Sequence, residues 1–162
     1  MVLDGNLSRK SHAKYIVSKA GKRIRLLGRI REDLTTNAAN LIFKSFILPI
    51  LDYCDTVWAC CNRRDIDQLE RLQNRGGRIV KMTTRSAPAL HNFKWDSLES
   101  RRSKHIFNLV HKCLVKKTSP FLHNYFHYNR EINGRFTRQS NFLNLPNVRT
   151  ETAQNSFFIT VV

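Results

Sequence analysis

The residues of this sequence best placed to do chemistry are its arginines and lysines. Lys14, Lys22, Arg25 and Arg29 are spaced so that, at about 100° per residue, all four fall on one stripe of a helix. Arg71, Arg75 and Arg78 repeat the pattern further along, and Arg101 and Lys104 belong to a third basic face. A guanidinium fork matches phosphate oxygens, and an ammonium meets them as a compact charge. These nine side chains are therefore the candidate contacts to a phosphate backbone. Such contacts fix position and do not read base sequence. The composition points the same way. The 162 residues hold 28 Lys and Arg against 12 Asp and Glu, a formal charge of +16. That excess repels itself in a compact state unless an anionic partner offsets it. DNA or RNA is the expected partner, ahead of an acidic membrane surface.

Other chemistry is hard to assemble from what remains. The sequence has no Gly-x-x-x-x-Gly-Lys loop, no His-Glu-x-x-His and no Cys-x-x-Cys. His123 and His127 are four apart, yet no nearby Cys or carboxylate completes a metal site. Adjacent Cys60 and Cys61, even with Cys54, suit tetrahedral chelation poorly, so idle thiols are expected. His111 and Cys113 diverge on one helix. The close carboxylates, Glu32-Asp33 and Asp65-x-Asp67, fall at expected helix starts, where capping and dipole roles suffice. No catalytic residue, metal or cofactor is expected. Four cysteines at uneven spacing do not make a secreted disulfide scaffold, and no apolar run is long enough to span a membrane. A reducing compartment, nucleus or cytoplasm, is the expected setting.

The elements that must carry the basic stripes read as helices. The first covers 11–31, with Ala13, Ile16, Ala20, Ile24 and Leu27 opposite the cations. From Asn6 to Arg31 there are nine Lys and Arg and no Asp or Glu, so ion pairs within that helix cannot neutralise it. Thr35 or Thr36 caps a second helix from about Asn37. Pro49 either kinks it on towards Trp58 or sits in the first turn of a fresh one. Phe43, Phe46, Ile47, Ile50, Leu51, Tyr53, Val57 and Trp58 are expected to be buried there. A third helix runs from about Arg64 to Met82. Its Gly76-Gly77 pair costs roughly 1 kcal/mol per glycine, which a close helix approach or a break would justify. Ser97 caps a fourth helix to about Lys117, with Arg101, Lys104 and Lys112 facing away from its apolar side. A short turn, Phe121 to Phe126, precedes a tail that is strand-like at most near Phe157–Val162. Tyr15, Trp95, Tyr125 and Tyr128 are the aromatic residues placed to stack on bases, whereas Phe46 and Trp58 read as core.

Two blocks of sequence carry a family likeness. Phe-Ile-Leu-Pro-Ile-Leu-Asp-Tyr-Cys-Asp-Thr-Val-Trp at 46–58 is followed by Leu-Glu-Arg-Leu-Gln-Asn-Arg at 69–75. Downstream come Trp95, Leu98, Glu99, Arg101, Arg102 and the run Leu109-Val110-His111-Lys112-Cys113-Leu114, then Ser119-Pro120, Leu122 and Phe126. Together they resemble the segment after the polymerase domain of non-long-terminal-repeat retrotransposon reverse transcriptases, of the jockey-like LINE type. Asp4-Gly-Asn-Leu7 with His12 and Ile16 is similar to the end of the palm that leads into it. His111 stands where the family has Tyr, and Gly76-Gly77 where it has small alanines. The likeness implies a thumb and its helical extension, which pack against a template–primer duplex. It also implies that the catalytic Asp-Asp motif and the endonuclease lie upstream of this chain, so that the chain is not an enzyme alone and could meet a reverse transcriptase palm in trans.

The expected fold is all-α, a thumb-like bundle of about four to five helices with an extended C-terminal tail. The expected division is 1–10 as the palm end or linker, 11–127 as the helical domain and 128–162 as a partly disordered tail. The expected function is non-sequence-specific binding of a DNA or RNA duplex or hybrid. The alternatives are a protein-interaction or self-association module exposing the former palm-facing apolar surface, and a non-functional transposon-derived fragment that binds by charge alone.

Overall fold

Helix α1, Lys10–Arg29, follows from the periodicity of its apolar residues. Ala13, Ile16, Ala20, Ile24 and Leu27 are all but fully buried, and the polar residues between them turn to solvent. The structure, a computed structural model, describes residues 10–58, 63–83, 93–133, 138–144 and 147–149. Its contacts divide the chain into two compact units, Met1–Arg102 and Ser103–Val162. That division falls inside the stretch 11–127, which the sequence reads as one domain. Among the described residues the fold is all-α, with no strand and one isolated antiparallel bridge, Tyr128 to Leu143.

In the first unit α1 turns into α2, Thr36–Ile42, whose N-terminus is capped by the Thr35 hydroxyl accepting from the Ala38 N–H at 3.2 Å. Pro49 lacks an N–H, and its ring crowds the carbonyl four residues back. The chain answers by widening. Residues 43–47 form a π-helical stretch, and the Leu48 N–H bonds the Phe43 carbonyl. Helix α3, Leu48–Asp52, then starts with Pro49 in its first turn. Cys54 stands at φ 55° and separates α3 from the short α4, Asp55–Trp58. Helix α5, Arg63–Lys81, completes the layer begun by α1. The first turn of α6, Leu98–Leu114, adds Leu98 to the core. The Ser97 hydroxyl accepts from the Ser100 N–H at 3.1 Å, the cap its sequence predicts.

Two clusters make this core. Ile16, Ala20, Leu51, Leu69 and Leu98 form one. Ile24, Leu27, Ala39, Phe43, Ile47 and Val80 form the other, closed by Phe93 and Trp95. Phe43, Ile47 and Leu51 are buried as expected, but Phe46, Tyr53 and Val57 are exposed. Phe43, Ile47 and Leu51 are four apart and share one face, whereas at about 100° per residue Phe46, Tyr53 and Val57 fall on its flank, so apolar character alone assigns these three to the core. The Trp58 side chain lies outside the described set. Gly76 supplies the close approach its cost requires: a Cβ there would overlap the ring of Phe43.

The second unit gathers Val110, Cys113 and Phe126, with Leu109, Leu114, Leu122 and Leu143 packed against them. Helices α7, Pro120–His123, and α8, Asn129–Asn133, follow α6. The described residues between 128 and 144 are thus not extended. Asn129 donates to the Phe142 carbonyl at 2.9 Å and Asn144 to that of His127 at 2.7 Å, folding the segment back on itself. Residues 1–9 and the stretch Phe157–Val162 lie outside the described residues.

Candidate nucleic-acid interface

Helices α1 and α5 lie side by side and point the same way. Gly21 meets Leu72, Gly28 meets Ile79, and Arg31 meets Ile79 and Val80, so contacts advance together along both helices. Both bury one face against α2, the π-helical stretch and α3. Their opposite faces therefore share one outer surface. Lys14, Lys22, Arg25 and Arg29 are exposed on α1, and Arg71 and Arg75 on α5, with Arg78 half-buried beside them. With the helices in parallel register, Arg25 and Arg75 stand at about the same height across the seam. Small residues at 21 and 28 let the two backbones come close, and this narrows the gap between the basic stripes.

The acids of this unit are few on this face. No Asp or Glu occurs on α1. On α5, Asp67 is held by Arg63 at 3.2 Å, and Glu70 accepts from the Glu99 N–H at 2.9 Å. Among the described residues no carboxylate pairs with any of the seven cations on this face. The face is positive because seven cations meet few acids there: α1 has none, and Asp67, one turn before Arg71, is taken by Arg63.

Arg101 departs from its expected role. It does not turn to solvent: its guanidinium grips the Asp52 carboxylate through both Nε, at 3.2 Å, and Nη2. The hydrogen bond to Asp52 is the main cause that raises its pKa, with Asp52, Asp96 and Asp55 adding attraction. A guanidinium so committed ties α6 to α3 and is not available to a phosphate. Helical phase alone assigns Arg101 to solvent because it ignores the neighbouring α3. Lys104 is exposed and belongs to the second unit.

The stacking candidates also separate. Trp95 is not on the surface but stacks on Phe43 at 4.2 Å, and its indole N–H donates to the Asn40 amide oxygen at 3.0 Å. Tyr125 is exposed and meets Phe121 edge-on at 5.2 Å, while Arg130 lies 5.2 Å over Tyr128. Tyr15 is half-exposed on the flank of α1. That flank holds residues the sequence analysis passes over. Lys19 lies 5.4 Å over the Tyr15 ring, and Arg23 stacks on Phe46 at 3.8 Å while donating to its carbonyl at 2.6 Å. The usable signal was the spacing of Tyr15, Lys19 and Arg23, each four from the next.

Of the candidate metal ligands, His127 faces Glu131 at 3.7 Å, and Cys113 is buried while His111 is exposed. Among the described residues no group of three or more His, Cys, Asp or Glu is placed to hold a metal ion. Cys60 and Cys61 lie outside the described residues. No helix of the described residues is long and apolar enough to cross a membrane. No family model, curated protein or solved structure matches this chain.

Proposed function

We propose that the chain binds the phosphate backbone of a nucleic-acid duplex or hybrid across the outer face of α1 and α5, without reading sequence and without catalysis of its own. The observation that carries this reading is the convergence of Lys14, Lys22, Arg25 and Arg29 with Arg71, Arg75 and Arg78 on one surface where acids are few. Two parallel helices bearing cations on either side of a shallow seam can follow a phosphate chain, and each contact releases counterions. The resemblance to the thumb of non-long-terminal-repeat reverse transcriptases gives the same reading from an independent direction. In that setting the chain would grip a template–primer duplex beside a palm domain supplied in trans, within the nucleus or cytoplasm.

The test compares two triple variants by fluorescence anisotropy on a labelled blunt duplex. Lys22, Arg25 and Arg29 are reversed to Glu in one. Lys44 and Lys94, exposed on other segments of the same unit, and Lys112, exposed in the second unit, are reversed in the other. The first is expected to lose at least about tenfold more affinity than the second, because contacts count only where they reach phosphates. Equal losses would leave only net charge acting and favour the charge-only fragment.

A second reading, binding of a protein partner or self-association, draws on the second unit. Phe107, Phe121 and Phe142 are 71%, 65% and 64% exposed there, and a partner that covered these rings would gain their burial.

A further inference from the structure

On the flank of α1 away from α5 lies an open cleft of about 490 Å³. That volume is within the range of small-ligand sites, roughly 300–1,000 Å³. Its composition is specific. Tyr15 and Tyr53 flank the buried ring of His12, each 6.4 Å from it, Tyr15 nearly parallel and Tyr53 steeply inclined. Ile16 and Ile50 supply apolar lining. Lys19 and Arg23 follow Tyr15 along α1 at one-turn intervals and line the same cleft. Arg23 is held in place by the ring and carbonyl of Phe46, so its guanidinium is preorganised. Burial lowers the His12 pKa and favours the neutral ring, so the positive charge of the cleft comes from Lys19 and Arg23. Among the described residues no carboxylate lines it.

Such a cleft fits a ligand that is flat and aromatic at one end and anionic at the other. A nucleotide has that chemistry. We propose that this cleft takes one unpaired nucleotide of a bound strand, its base against Tyr15 and Tyr53 and its phosphate against Lys19 and Arg23. The inference rests on the nucleic-acid reading above, and it adds a site for a single-stranded end on a different flank of α1 from the basic face. Aromatic side chains stack any base, so no sequence preference is expected.

The probe is a DNA duplex with a three-nucleotide single-stranded overhang containing 2-aminopurine, compared with the blunt duplex of the same sequence. The full chain is expected to bind the overhang duplex about tenfold tighter and to quench the 2-aminopurine fluorescence. Tyr15→Leu and Tyr53→Leu, both at half-exposed positions, are each expected to abolish the preference and the quenching while leaving blunt-duplex affinity unchanged. Far-UV circular dichroism checks that both variants fold, and the wild-type comparison stands without them. Equal affinity of the wild type for the two duplexes overturns the cleft and leaves the backbone reading intact, as does quenching that survives both substitutions. Quenching of the overhang with no measurable blunt-duplex binding supports the cleft and overturns the α1–α5 surface. Failure to bind either probe overturns both.

Discussion

At the scale of single residues, two glycines on the helix layer should respond to the same substitution with opposite signs. A Cβ at Gly21 would sit 3.9 Å from Leu72, ordinary contact in a buried place. Gly21→Ala is therefore expected to stabilise the fold by about 0.5–1 kcal/mol through helix propensity. At Gly76 the added methyl would run into Phe43, which is fully buried and stacked on Trp95 and so has nowhere to go. Gly76→Ala is expected to cost about 1–3 kcal/mol. Urea unfolding of the two variants checks both signs. His12 gives a pH dependence. Burial, the main cause, lowers its pKa in the folded state below the ordinary value of 6.5, so the unfolded chain binds the proton more readily. The stability its neutral form contributes is present above pH 6.5 and is lost as pH falls from there through the lowered folded value. Urea midpoints at a series of pH values from 7.5 down should fall, and His12→Phe should flatten the part of that decline due to this residue. Sequence alone could flag Gly76-Gly77 as a cost needing a reason. It could not supply Phe43 as that reason, because the contact is between residues 33 positions apart.

At the scale of elements, the parallel pairing of α1 with α5 depends on Arg31. By helical phase this residue continues the apolar face of Ile24 and Leu27, an unusual place for a charge, and it is buried. Its guanidinium caps the C-terminal end of α5. It donates to the carbonyls of Ile79 and Val80 at 2.7–3.1 Å, to the Leu34 carbonyl at 2.6 Å and to the Thr36 hydroxyl at 3.1 Å. The orphan carbonyls and negative dipole of a helix end offset the charge. Arg31→Ala is expected to cost about 2–4 kcal/mol. Arg31→Lys should recover only part of that loss, because an ammonium cannot span the same fork, and thermal melts of the two variants give the comparison. The helices themselves were legible: α1, α5 and α6 start or end near where their caps and periodicity set them. The basic stripes were legible too, since Lys14, Lys22, Arg25, Arg29, Arg71 and Arg75 all reach solvent. What failed was the burial of every large apolar residue beyond Phe43: Phe43, Ile47 and Leu51 share the inner face, while Phe46, Tyr53 and Val57 lie off it and are exposed. Arg101 failed for a different reason, a partner on another helix, and Trp95 likewise, its ring taken into the core by Phe43. A single-helix count contains no information about either.

At the scale of the whole molecule, charge is sorted as well as abundant, and sorting has a measurable consequence. Residues 1–102 carry ten Asp and Glu, enough to neutralise half of their cations if the two were mixed. Asp52, Asp55 and Asp96 instead surround Arg101, and α1 has no acid. Uniform mixing would give a weak field everywhere. This arrangement concentrates positive charge over the outer face of α1 and α5, where a phosphate chain that binds gives up its condensed counterions together. If about six of the seven cations there engage phosphates, the slope of log affinity against log salt should be near −5, with about a thousandfold loss between 50 and 200 mM. Reversal of Lys22, Arg25 and Arg29 should shrink that slope as well as weaken binding, whereas reversal of Lys44, Lys94 and Lys112 should leave the slope nearly unchanged. Apolar association through Phe107, Phe121 and Phe142 behaves otherwise, because screening does not weaken burial of apolar surface and excluded salts strengthen it. Anisotropy titrations on one blunt duplex at four salt concentrations separate the cases. A steep slope that collapses only in the α1 variant places the contacts on the α1–α5 face, a shallow slope in all three proteins excludes phosphate contact as the basis of binding, and a steep slope that both variants reduce equally leaves net charge alone.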